Sequence, residues 1–207
     1  MPVTINGDGS ITGLSVGGLG SGVVNNTSLA NSTIETAKLT AAAQSSLKTL
    51  SFFNQWRLVS DGSAGNNGVL GSSDSGTTWE QVDTNGYSGL GGNMTESAGI
   101  FSFPSTGIYL IQGAFTILTA GGDTSVSVIL SVTTDNSSYN NTAYTSGGNH
   151  LSQAVNQTSV AAHIFDVTST STHKLRFLTE SMAATSYPHG SSSSSQSWFT
   201  VTKLAET

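Results

Sequence analysis

The sequence predicts an antiparallel all-β sandwich, and three observations carry that expectation. Charged residues make up 9% of the 207-residue chain and 24 residues are glycine, against about 25% charged in an ordinary soluble domain. Roughly three residues in ten are Ser or Thr, and neutral hydroxyls with glycine suit strands and turns better than solvated helices. From Phe52 onward, apolar residues recur with period two in short runs bounded by Gly, Asn, Ser and Asp, the pattern of half-buried strands joined by turns.

The first fifty residues follow a different pattern, and the chain divides by composition into a leader (1–31), a short helical stalk (32–51) and a β-rich head (52–207). In the leader Val3, Ile5, Ile11, Leu14, Val16 and Leu19 stand isolated among glycines and hydroxyls. Such a segment cannot bury enough apolar surface by itself to offset its ordering entropy. Two readings stay open: a disordered leader, or an anchor that orders against a partner. Ser32-Thr33-Ile34-Glu35 fits a capping box, in which the serine and the glutamate satisfy each other's backbone N–H groups. A helix is expected over residues 33–48, with Ile34, Ala37 and Ala41 on one stripe and Leu39, Ala43, Leu47 and Leu50 on another. Sixteen residues is marginal for an isolated helix, so packing against copies of itself or a neighbour would stabilise it.

In the head, strands are expected at 55–59, 78–83, 100–103, 107–118, 124–134, 143–145, 158–167, 173–179 and 197–204. The apolar stretch Gly107–Leu118 has the character of a central strand. The segments 61–77 and 84–99 are expected as loops, as is the serine run 191–195.

Composition also excludes function classes. Six Lys plus Arg against twelve Asp plus Glu give a net charge of −6, and no Lys or Arg occurs between Leu58 and His173. A nucleic-acid partner is therefore not expected, because such binding needs clustered positive charge. No run reaches the ~18 apolar residues of a membrane span, so no membrane insertion is expected. The start MPVTINGDGS has neither a basic region nor an apolar core, and no secretory signal is expected there. Without cysteine there is no disulfide framework and no thiolate metal site.

Residues Gly99-Ile100-Phe101-Ser102-Phe103-Pro104, followed by Gly107-Ile108-Tyr109-Leu110-Ile111, resemble the G-x-F-x-x-P…G-x-Y-x-[FL] stretch of complement-type globular heads, the tumour-necrosis-factor-like jelly rolls. Trp56 falls where that family opens its first strand, and Ser197–Thr202 where it places its closing strand. In the leader and stalk, Ser10–Leu14 and Ser32–Leu39 resemble the anchors and "TAKL" units of bacteriophage virion fibres. Val82–Gly86 with Met94–Phe101 is similar to short fibre or knob proteins of marine phages. The resemblance implies a jelly-roll head forming a homotrimer, with Phe101, Phe103, Tyr109, Phe115, Trp198 and Phe199 expected in the core or along the trimer axis. It implies a virion location, with the leader binding other virion proteins. The expected work is adhesion to host-surface carbohydrate, or decoration of the capsid as a cement or head-fibre protein. The family's collagen-like stalk is missing, since no Gly-X-Y run occurs in the sequence, and the expected stalk is one short helix and a leader.

Tyr87, Tyr139, Tyr144, Tyr187 and His189 fall in or beside Gly/Ser/Asn loops. Tyrosine among small polar residues is the composition of adaptable binding surfaces, so these are the expected glycan contacts. No cofactor is expected. The four histidines stand ten or more positions apart, and Asp61, Asn66, Asn67, Asp74, Asp135 and Asn136 are ordinary turn residues. A weak calcium site at Asp61 or Asp123 is the minority reading. No G-x-S-x-G elbow occurs, and the sequence does not bring Glu80, Glu96 and Glu180 together as a carboxylate pair. A non-enzymatic protein is expected, with a polysaccharide depolymerase as the enzymatic rival. The N-x-[ST] triplets at Asn26, Asn31, Asn93 and Asn156 follow from composition. Lys174 and Arg176 should share a strand face opposite Leu175 and Phe177, as a solvated face or paired with Glu180 or Asp166.

Overall fold

The computed structural model describes residues 50–207 apart from 85 and 88, together with two short strands nearer the N-terminus. The chain divides into two units, Met1–Lys48 and Thr49–Thr207. In the first, β1 (Thr4–Ile5) pairs antiparallel with β2 (Ile11–Thr12), so Ile5 and Ile11 are register partners. The expected helix at 33–48 and the leader residues Val3, Leu14, Val16 and Leu19 lie outside the described residues.

The second unit is an antiparallel sandwich built from β3 (Phe53–Leu58), β4 (Trp79–Gln81), β5 (Thr95–Ser97), β6 (Ile100–Ser102), β7 (Gly107–Thr119), β8 (Val126–Thr133), β9 (Asn140–Gly147), β10 (Val155–Val167), β11 (Lys174–Glu180), β12 (Tyr187–Pro188) and β13 (Trp198–Ala205). The first sheet runs β10-β7-β13-β3-β4, with β12 also on β7; the second runs β5-β6-β11-β8-β9. The expected central strand is indeed interior: β7 pairs with β10 over thirteen rungs on one side and with β13 on the other.

Two strands were hidden in expected loops. Strand β5 joins β6 through Ala98 and Gly99, both with positive φ (52° and 82°). A two-residue hairpin needs that left-handed geometry, but an alanine at the first position conceals the signal. The Glu96 carboxylate closes the turn by accepting the Gly99 N–H at 2.6 Å. Strand β12 is two residues long and pairs only with Leu118 and Ile117, too short to carry any periodicity.

Alternation decides what fills the core. Phe101, Phe103, Tyr109, Phe115 and Phe199 all point between the two sheets of one chain and are buried there. Trp79 lies at the centre of this cluster, 5.1 Å from Phe199 and 5.7 Å from Phe101 between ring centroids, and its indole N–H donates to Leu70 O at 2.9 Å. Edge-on pairs such as Phe101–Phe199 at 4.8 Å add about 0.5–1.5 kcal/mol each beyond area burial. Of the two places expected for these aromatics, the intramolecular core holds five, and none of the five lines a surface for trimer packing. Trp198 has the opposite parity: it is half-buried on the outer face of the first sheet, beside Ala114 and Arg57.

Candidate functional site

The outer face of the first sheet can be read rung by rung from its register, since directly opposed residues share a face. From one end the rungs across β10 and β7 are Asn156–Leu118, Thr158–Thr116, Val160–Ala114, Ala162–Gln112 and Ile164–Leu110. Strand β13 extends the last three with Trp198, Thr200 and Thr202, and β3 adds Arg57, Gln55 and Phe53. One end of the face thus presents an amide and hydroxyls beside Leu118; the other, the apolar end, carries the exposed aliphatic side chains, interleaved with Gln112, Gln55, Thr200 and Thr202. Val160 is 64% exposed, Ile164 59% and Leu204 50%.

Between these ends, Arg57 is buried under the serine loop. Its Nε donates to Glu80 Oε1 at 2.7 Å, one Nη to Thr84 Oγ1 at 2.9 Å, and the other to Asp83 Oδ1 at 3.1 Å. It also donates to the carbonyl of Ser192, so the run 191–195 is a strap over β3 tied to a buried guanidinium.

At the polar end, His189 follows β12 and its backbone N–H donates to Thr116 O at 2.7 Å. Its ring then lies across the sheet: Nδ1 is 3.0 Å from Asp61 Oδ1 and Nε2 is 3.0 Å from Asn156 Oδ1. Asp61 Oδ1 also accepts the Gly190 N–H at 3.0 Å. Tyr187 meets the imidazole edge-on, with centroids 5.2 Å apart. An open cleft of about 970 Å³ adjoins this arrangement, lined among others by Ser60, Asp61, Thr116, Asn156, His189 and Gln196.

The expected glycan-contact residues therefore separate into three places. Tyr187 and His189 are at the polar end of the first sheet. The Tyr87 hydroxyl accepts the Gln55 N–H at 2.8 Å, and its ring lies 6.4 Å from Phe53, which makes it a plug beneath its own loop. Tyr139 and Tyr144 belong to the second sheet's side. The Arg176 guanidinium sits 3.9 Å from the Tyr139 ring centroid; burial raises the phenol's pKa and the nearby cation partly opposes that. Tyr144 is exposed on β9.

Arg176 thus pairs with an aromatic face, and Lys174 Nζ donates to Ser102 Oγ at 2.8 Å and Thr170 O at 2.9 Å. Neither reaches the expected Glu180 or Asp166; Asp166 accepts the Thr207 hydroxyl instead. Glu80 lies in the first sheet, Glu96 and Glu180 in the second. Asp123 is buried, with Oδ2 accepting from Ala183 N and Ser186 Oγ. Among the described residues no group of three or more His, Cys, Asp or Glu is placed to hold a metal ion, and no helix is long and apolar enough to cross a membrane.

Reading from the sequence missed Val160, Ile164 and Leu204. For Ile164 the signal was present in β10, where Ile164 and Phe165 are adjacent and apolar, so that both faces of an edge strand are hydrophobic there.

Solved structures share this arrangement. Eiger TNF from S. frugiperda superposes with a TM-score of 0.53 at 14% identity, covering 77% of this chain and 96% of that one. Murine APRIL at pH 8.5 gives 0.52 at 12% identity, covering 74% and 98%. The fold is a tumour-necrosis-factor-like jelly roll. At this identity the likeness is one of fold. No protein-family model matches the sequence, nor does any curated protein.

Proposed function

We propose that this chain is a non-enzymatic structural protein of a phage particle, a homotrimeric surface knob carried on its first fifty residues and contacting host-surface glycans. The observation that carries the reading is the apolar end of the first sheet's outer face. Val160, Ile164 and Leu204 expose most or half of their side chains, with Leu110 and Phe53 on the rung of Ile164. Exposed apolar side chains gathered on one part of a sheet face mark an association surface, and three copies of one chain would cover them around a threefold axis. The fibre-like leader and stalk motifs support the virion assignment, with the leader meeting other virion proteins. The fold and the low charge support a binding module, and the hydroxyl- and amide-rich end of the sheet, with Tyr187 beside it, supports a carbohydrate partner.

Sedimentation equilibrium of the full chain tests the assembly: a mass of three chains is expected, and a stable single-chain species would overturn it. A reconstruction of the particle that carries this chain tests the location, with threefold knobs of this shape expected at the particle surface.

A further inference from the structure

The polar end of the first sheet has the makings of a binding site that the apolar end does not. Its lining presents hydroxyls (Ser60, Thr116), amides (Asn156, Gln196), one carboxylate (Asp61) and one imidazole (His189) around an open volume of about 970 Å³. Neither lysine nor arginine lines it, so no permanent cation is there to compensate an anionic ligand, and the Asp61 carboxylate would repel one. Nor is there an apolar pocket for a peptide side chain. A neutral molecule carrying many hydroxyls fits this set, because each hydroxyl can donate to a carboxylate or amide oxygen and accept from an amide or hydroxyl.

The cleft is also held in place before any ligand arrives. Asp61 Oδ1 is fixed by His189 and by the Gly190 N–H, while Oδ2 takes no hydrogen bond from the described residues and is left to accept from a ligand. His189 is held from three directions, by Asp61, by Asn156 and by the Tyr187 ring. The Thr116 and Thr158 hydroxyls are linked at 2.8 Å across β7 and β10. Fixed polar groups lower the ordering cost of binding.

We infer that this cleft binds a neutral oligosaccharide, with Asp61 and Asn156 making the hydrogen bonds that decide affinity. The inference rests on the glycan-contact reading above and adds to it the place and the sugar class. Asn156 stands four residues from Val160 along β10, about 13 Å at strand rise, which separates the Asn156 side of the cleft from Val160. A trimer would present three clefts, and linked sites can gain ~10²–10⁴ in avidity over one.

The test uses the full chain on a printed array of neutral, sialylated and sulfated oligosaccharides, followed by calorimetric titration of the strongest neutral ligand. Wild type is expected to bind neutral members. Asp61→Asn and Asn156→Ala are each expected to weaken binding at least tenfold at unchanged melting temperature, and Thr134→Ala, at an exposed position just past β8 on the other sheet, to leave it unchanged. Asn156 is exposed at a sheet edge, so N156A decides the matter should D61N fail to fold. Binding that survives D61N and N156A, or a preference for the acidic members, overturns the cleft while the glycan reading stands. Binding to none of the oligosaccharides overturns both.

Discussion

Strands β8 and β10 are both rich in valine and isoleucine, yet β8 is buried along its whole length while β10 leaves Val160 and Ile164 exposed. The difference is one of position. Strand β8 lies between β11 and β9, and its outward Ile129 stands between Leu178 and Tyr144 on the same face. Outward Ser131 is bonded to Asn141 at 2.8 Å. Strand β10 is the edge of the first sheet with β7 as its one sheet partner, and its outward Val160 and Ile164 are left exposed. One sheet completes its outer face with its own side chains; the other leaves a face suited to another copy.

The largest expected effect breaks that contrast directly. Val160→Asp with Ile164→Asp should convert the three-chain species to single chains by sedimentation, with the β-sheet circular dichroism retained, because association would bury two uncompensated charges. Tyr144→Asp on the second sheet should leave the mass unchanged. If both variants remain trimeric, the apolar face is not the contact.

Core truncation sharpens the comparison from inside. Phe199→Ala removes a ring packed against Trp79, Phe101 and Phe177, and should cost about 3–5 kcal/mol in denaturant unfolding. Its effect should be the same in the trimer-breaking background, since the ring belongs to the single-chain core. Arg57→Leu should cost less, about 2 kcal/mol by the same measurement. Its guanidinium is 1% exposed, but Glu80 and Asp83 reach solvent and can be hydrated once released.

Smaller effects belong to the turns of the second sheet. Ala98→Gly should stabilise the β5–β6 hairpin by roughly 0.5–1 kcal/mol, as glycine adopts the positive φ of 52° without strain. Asp135 accepts hydrogen bonds from Ser137 N, Ser138 N and Thr133 Oγ1. The Ser138 and then the Ser137 N–H hold its carboxyl well below the usual carboxylate range. A depressed folded-state pKa means that its stabilisation is present above the unfolded-state value near 3.9 and is lost as pH falls below it. Asp135→Asn should therefore lower the melting temperature in the neutral region and flatten its fall below about pH 4, so that the two profiles converge in acid.

Strands with strict alternation were legible in the sequence: Leu175 and Phe177 inward, Lys174 and Arg176 outward, and the long apolar β7 in the interior. The hairpin turn at Ala98 was not, because an alanine at positive φ is permitted by its surroundings and not signalled by its type. Among site residues, Tyr187 and His189 were legible as a pair beside a loop. Their partners Asp61 and Asn156 lie 128 and 33 residues away from His189, and local pattern carries no information about such a meeting. Tyr87 looked like Tyr144 in the sequence, and a single hydrogen bond to Gln55 N separates a plug from an exposed ring.

Composition and period-two patterning by themselves determined a charge-poor antiparallel sandwich, because side-chain alternation is fixed by strand geometry whatever the neighbours are. Which face each aromatic serves, which sheet stays open to another molecule, and which polar groups converge on the cleft were decided only by the pairing of strands distant in the chain. Pairing sets the neighbours of every outward residue, and an isolated strand does not contain them.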